Sequence, residues 1–114
     1  MLVRVAPGND TPLYEQIAAQ LRRAISEGKV KPGERLPSAR ELGESLAVHM
    51  HTVLRAYDEL REEGLLDVRP GRGVVVLGSG RSRARLVELA KAFLSEGVRQ
   101  GLDLRELRKL LGEV

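Results

Sequence analysis

Two short stretches hold the side chains most able to do chemistry. In the first, His49 and His51 flank Met50. Such an H-x-H pair can bind a metal, titrate near neutrality or serve as a neutral hydrogen-bonding group. Two positions apart on a helix the imidazoles diverge, and no third ligand accompanies them. Metal binding is therefore disfavoured, and hydrogen-bonding and outward-facing roles stay open. The second stretch runs from Asp67 to Glu88. It contains no acidic residue between those ends but carries Arg69, Arg72, Arg81, Arg83 and Arg85. A run of one sign can neutralise phosphates and release their counterions, or it can be a solvated segment at a domain boundary. The chain has no cysteine, which removes thiol nucleophiles and thiolate metal sites. It also has no glycine-rich phosphate loop opening a helix, no serine in a nucleophile-elbow context and no paired histidines with a carboxylate third ligand. No enzyme, cofactor or metal is expected.

Bulk charge says less than its distribution. The net charge is +3, yet residues 1–79 carry 11 basic and 11 acidic side chains while residues 80–114 carry 8 and 5. A length of 114 residues allows one compact domain and a short appendage. No apolar run approaches the roughly 20 residues of a membrane span, and the opening M-L-V-R-V-A-P-G is too short and broken for a secretory signal. A cytoplasmic protein without a membrane partner is the expectation.

The elements that must position these residues can be read from periodicity and caps. Thr11 reads as an N-cap with Pro12 in the first helical position, and Leu13, Ile17, Ala18, Leu21, Ala24 and Ile25 form one apolar face up to Gly28. Residues 31–34 read as a turn and residues 35–37 as a short extended piece, since Pro37 keeps its predecessor out of the helical region. Ser38 and Glu41 form a capping box that opens a short second helix with Ala39, Leu42 and Leu46 on its buried stripe. A third helix begins after residues 47–49, with Val53, Ala56, Tyr57 and Leu60 inward and Gly64 at its end. Tyr57, inside that stripe, belongs to the core. Two helices across so short a turn, the second longer, make a helix-turn-helix. Residues 65–69 and 74–77 are β-prone and are separated by Pro70-Gly71-Arg72-Gly73, a hairpin turn. Residues 78–80 read as a flexible boundary. Beyond it, a helix over residues 82–99 presents Leu86, Leu89, Ala90, Phe93, Leu94 and Val98, and a final helix capped by Asp103 and Glu106 presents Leu104, Leu107 and Leu111.

These motifs resemble a known family. Pro12-Leu13-Tyr14-Glu15-Gln16-Ile17, residues 32–42 from Pro32 to Leu42, Thr52-Val53, Tyr57, Leu60, Glu63-Gly64-Leu65-Leu66 and Gly71-Arg72-Gly73 are similar to the DNA-binding domain of GntR-type transcriptional regulators. The likeness covers residues 11–77, and the short two-helix tail resembles the YtrA subfamily. The resemblance implies a mainly α protein with a small β-hairpin: a winged helix-turn-helix domain over residues 1–78 and a helical dimerisation tail over residues 79–114. It further implies that Arg40 contacts DNA, that Thr52 bonds backbone phosphate, and that Gly71 and Arg72 at the wing tip enter the minor groove. His49-Met50-His51 departs from the pattern, because many relatives place Ser or Asn and then Arg there. Met50 lacks the bidentate donors by which Arg reads guanine.

In a helix-turn-helix only the start of the second helix meets base edges. His49, His51, Thr52 and Arg55 stand at that end, whereas Asp58, Glu59, Glu62 and Glu63 crowd the other, where phosphate would repel them. The candidate DNA contacts are therefore Ser38, Arg40, His49, Met50, His51, Thr52, Arg55, Arg69, Gly71 and Arg72. The tail offers more apolar surface than a domain of this size can cover, so Leu86, Leu89, Phe93, Leu94, Leu104, Leu107 and Leu111 are candidates for a homodimer contact. The expected function is a regulator, a repressor, binding a pseudo-palindromic double-stranded DNA operator. A winged-helix module for protein partners is the alternative. No residue names a small-molecule effector.

Overall fold

The computed structural model describes residues 3–69 and 71–113. Pro70, at the head of the expected hairpin turn, lies outside them. Among the described residues seven elements follow in order: α1 (Leu13–Ser26), α2 (Ala39–Leu46), α3 (Met50–Glu62), β1 (Leu66–Arg69), β2 (Gly73–Val76), α4 (Gly80–Arg99) and α5 (Leu104–Glu113). The mainly helical class, the helix-turn-helix and the hairpin agree with the sequence reading.

The core forms where α1, α3 and the base of the hairpin meet. Ile17, Leu21 and Ile25 of α1 and Val53 and Leu60 of α3 are fully buried, with Leu65 and Val76 closing one end. Burying a side chain of this size contributes roughly 1.5–3 kcal/mol. Leu42 and, half-buried, Ala39 and Leu46 join α2 to the same cluster. The helix α1 starts one residue later than its caps suggest. Pro12 is the N-cap in an extended conformation (ψ 146°) without a side-chain cap bond. Thr11 is engaged elsewhere: its N–H donates to Asn9 Oδ1, and its carbonyl accepts from Gln16 Nε2.

The turn between α2 and α3 depends on two backbone details. Ala47 ends α2 in the left-handed region (φ 58°, ψ 42°), a conformation that costs a residue with a Cβ roughly 1–2 kcal/mol. Gly43 lies under the chain as it reverses: a Cβ there would stand 2.9 Å from the Val48 carbonyl oxygen and 3.3 Å from Met50 Cα. Neither backbone atom can yield, so the position requires glycine.

The hairpin is antiparallel, Leu66 opposite Val76 and Arg69 opposite Gly73. Residues 33–36 run beside β2 as a third, irregular strand. Leu36 N–H donates to Val74 O at 2.8 Å, and Val76 N–H donates to Glu34 O at 3.1 Å. The wing is thus tied to the segment that leads into α2. Before α1, residues 3–6 lie along that helix, held by two side-chain amides. Gln20 Oε1 accepts from Arg4 N–H and its Nε2 donates to Arg4 O, while Gln16 makes the same pair of bonds with Ala6. Val3, at the start of this strap, is buried in the core.

The boundary at residues 78–80 is not a loose joint. Gly80 is buried and already helical, and Leu77 N–H donates to Leu65 O. The first turns of α4 pack on α1, with Ala84 fully buried. The distal half of α4 and all of α5 extend beyond this body. The radius of gyration is 15.4 Å, against roughly 13 Å for a compact chain of this length. The capping box of α5 forms as expected, Glu106 N–H to Asp103 Oδ1 at 2.9 Å and Asp103 N–H to Glu106 Oε1 at 3.2 Å. Leu107 corrects an expectation: it is buried within the chain, and a Cβ on Gly97 would fall inside its side chain. It holds the α4–α5 corner closed and is not part of the exposed apolar face.

Candidate nucleic-acid interface

The head of α2 is fixed from three sides. Ser38 Oγ accepts from Glu41 N–H at 3.1 Å, and Glu41 Oε1 accepts from Ser38 N–H at 3.2 Å, completing the capping box. Both bonds lower the Glu41 pKa from its usual 4.5, the backbone bond most, with the Arg35 charge adding to them. The preceding residue is held by α3: the Tyr57 hydroxyl donates to Pro37 O at 2.6 Å. Burial raises the phenol well above its usual 10, so it remains a donor throughout the working pH range. Ser38 and Arg40 are exposed on this anchored turn.

At the head of α3, His49 is the N-cap and not a helical residue. Its backbone is extended (φ −66°, ψ 140°) and its Nδ1 accepts from His51 N–H at 3.2 Å. The two imidazoles therefore stack instead of diverging, with centroids 4.9 Å apart and planes at 12°. Helical geometry was the wrong basis for their separation, because one of the pair lies outside the helix. Among the described residues no group of three His, Cys, Asp or Glu is arranged to hold a metal ion. His49 and His51 are exposed, while Met50 and Thr52 are half-buried.

Arg55 is exposed, one and a half turns into α3. Its Cζ lies 3.8 Å from the centroid of the Tyr14 ring. The Tyr14 hydroxyl donates to Glu15 at 3.1 Å; that bond raises the phenol above its usual 10, and the Arg55 charge opposes it. Tyr14 entered the sequence reading only as part of a motif. Its position one helical turn before the buried Ile17 and Ala18 signals the edge of the core, but not its partner.

On the wing, Arg69, Gly71 and Arg72 are exposed. Arg72 N–H donates to Arg69 O at 3.0 Å. Arg69 also lies 3.8 Å from Asp67, which takes up part of its charge. Arg35, not among the expected contacts, is exposed and bridged through its backbone to Val75, with its Cδ 3.9 Å from where Gly73 would carry a Cβ.

Two of the five arginines in the acid-free run serve structure. Arg81 Nε donates to Ser26 O at 3.3 Å and Arg83 Nε to Glu63 O at 3.0 Å, so they satisfy carbonyls at the ends of α1 and α3. The acidic end of α3 has a structural role as well. Arg22, only 4% exposed, pairs with Glu63 through two 2.8 Å bonds and with Glu59 at 3.2 Å. Burial works against the guanidinium charge, but the two carboxylates outweigh it and raise its pKa above its ordinary value. This clamp joins α1 to α3 at the end remote from the helix head.

A helix-turn-helix with exposed basic and polar side chains at the heads of both helices, followed by a glycine-arginine hairpin strapped to the first of them, defines a winged-helix DNA-binding protein. Residues 13–76 match the family described as bacterial regulatory proteins, gntR family, and the chain belongs to that family. It is 32% identical over 99% of its length to the HTH-type transcriptional repressor YtrA of Bacillus subtilis (strain 168), covering 92% of that protein. Among solved structures it is similar to YtrA from Sulfolobus acidocaldarius, a GntR-family transcription factor, with 36% identity, a TM-score of 0.65, and 82% of this chain and 99% of that one covered. It is also similar to the DNA-binding domain of AraR in complex with operator ORE1, with 28% identity, a TM-score of 0.56, and 67% and 93% covered. The chain is accordingly a DNA-binding transcription regulator. No described helix is long and apolar enough to cross a membrane.

Proposed function

We propose that this chain is a repressor acting as a homodimer on a pseudo-palindromic operator, with one α3 per half-site and a wing in each adjoining minor groove. Residues 1–78 read DNA and residues 79–114 join the copies. The observation that carries this reading is where the uncovered apolar surface lies. Of nine exposed large hydrophobic residues among the described residues, seven fall in the tail: Leu86, Leu89, Leu94, Val98, Leu104, Leu110 and Leu111, with Val98 72% exposed. A monomer seldom leaves so much apolar surface of one short segment in water, and a second copy covers it with a two-fold axis that matches a palindrome. Phe93, half-buried, borders the same face. The repressor assignment is supported by the name of the Bacillus relative. Such a protein works in the cytoplasm, on chromosomal DNA, and needs no cofactor.

Ser38, Arg40, His49, His51, Thr52, Arg55, Arg69, Gly71 and Arg72 supply the contacts, and Met50 adds an apolar one. Phosphate contacts set affinity, while the helix head and DNA shape set sequence choice. The direct test selects bound sequences from a random DNA pool and measures the stoichiometry on the winning duplex by sedimentation. Two chains per inverted repeat are expected, and Arg40→Ala should weaken binding by about 1–3 kcal/mol. A single chain per site, or an Arg40→Ala variant that titrates like the wild type at matched salt, overturns the reading. Loss of all sequence preference and salt dependence would favour a protein-binding module.

A further inference from the structure

We propose that Tyr14 is a positioning residue for DNA binding: the face of its ring holds the Arg55 guanidinium beside the head of α3, where its charge meets the duplex. The inference rests on the DNA-binding reading and adds to it a residue from outside the helix-turn-helix. Arg55 Cζ stands 3.8 Å above the ring centroid, a distance at which the π-face attracts a cation. Leu13, Tyr14, His51, Thr52 and Arg55 together line an open groove of about 440 Å³ between the starts of α1 and α3. The pairing therefore sits beside the candidate contacts His51 and Thr52.

The alternative partners of Arg55 are close but unused. Asp58 and Glu59 follow it by three and four residues, the spacings at which a carboxylate on a helix captures a cation. Glu59 is drawn to Arg22 instead, and among the described residues Arg55 forms no ion pair. An arginine paired with Asp58 would bring its own neutralising charge to the DNA. One laid on an aromatic face keeps its full charge and its N–H edge free, with fewer rotamers to lose on binding. The Tyr14 hydroxyl is occupied with Glu15, so only the ring is needed for this role.

The test compares wild type, Tyr14→Phe, Tyr14→Leu, Arg55→Gln and the double variant Tyr14→Leu/Arg55→Gln by fluorescence anisotropy on one duplex across a salt series. Tyr14→Phe should bind like the wild type, since the ring is kept. Tyr14→Leu should bind about 2- to 5-fold more weakly. Arg55→Gln should weaken binding and lower the salt slope by roughly 1, and Tyr14→Leu should add nothing on that background. In the free protein the Arg55 Hε NMR signal should be shifted upfield by the ring in wild type and Tyr14→Phe and should lose that shift in Tyr14→Leu. An equal loss from Tyr14→Leu on both backgrounds, wild-type binding by Tyr14→Leu, or an unshifted wild-type Hε signal each overturns the inference. Failure of the operator reading is separate: it shows as a lack of sequence preference, while the cycle still runs on any duplex the protein binds.

Discussion

Replacing Arg22 with methionine keeps most of the side-chain volume and removes the charge that joins α1 to α3. Three hydrogen bonds disappear, two to Glu63 and one to Glu59. The two carboxylates are left in different positions. The Glu59 side chain is 31% exposed and can turn toward water, whereas that of Glu63 is 14% exposed and is left as a nearly buried, unpaired charge. Breaking a buried ion pair from one side costs 3–5 kcal/mol, and the partial access of Glu63 places Arg22→Met near the lower end, about 3 kcal/mol. For a chain of 114 residues that is a fall in Tm of roughly 12 °C, from an unfolding entropy of about 2.1 cal/mol/K per residue. Circular dichroism melts at 222 nm and fixed protein concentration measure it. The double variant Arg22→Met/Glu63→Leu should recover most of the loss, because no buried charge is then left without a partner. A single variant that melts within about 1 °C of the wild type, or a double variant no better than the single, would show that the clamp is an ordinary surface pair of the kind worth about 0–1 kcal/mol.

Ala47→Gly should raise stability by about 0.5–1 kcal/mol, since glycine takes the left-handed turn between α2 and α3 without the Cβ penalty; urea titration reports it, and a neutral or lower midpoint contradicts the backbone account. Tyr57→Phe should cost about 1–2 kcal/mol by leaving Pro37 O without its donor, and hydrogen exchange should quicken at the start of α2 with α1 unaffected; a uniform quickening would place the role in global packing. The pH dependence of Glu41 follows from its lowered pKa: the folded protein holds the proton more weakly than the unfolded chain, so the capping box stabilises fully above the ordinary 4.5 and loses its effect as pH falls through the lower folded value. Acid melts of Glu41→Gln should accordingly fall less steeply below pH 4.5 than those of the wild type, and parallel curves would remove the capping box from the acid response.

Much of this protein was legible in its sequence because the signals were local. The capping boxes at Ser38 and Asp103, the apolar stripe from Ile17 to Ile25 and the glycines around Arg72 specify their elements without help from the rest of the chain. What escaped were contacts between distant segments and backbone states that residue type does not announce. Arg22 sits beside Leu21 in a helix whose other arginine, Arg23, is exposed, and nothing local tells the two apart. Ala47 turns left-handed where a glycine would have advertised it. The run from Arg69 to Arg85 read as uniform charge, yet Arg81 and Arg83 are spent on helix ends 55 and 20 residues away. Gln16 and Gln20 gave no sign that they bind the chain before α1. Of the candidate contacts, all but the half-buried Met50 and Thr52 are exposed, as a reading surface requires, while the stacking of the two histidines followed from a cap that periodicity could not foresee.

The arginines at the start of α4 have a mechanical consequence. Because Arg81 and Arg83 grip the final carbonyls of α1 and α3 from a single helical turn, and Ala84 is sunk beside them, torque on the far half of α4 is delivered to both helices and not dissipated at a glycine swivel. A twist imposed near Val98 must either pivot the reading head as one piece or strip two helix ends of their donors.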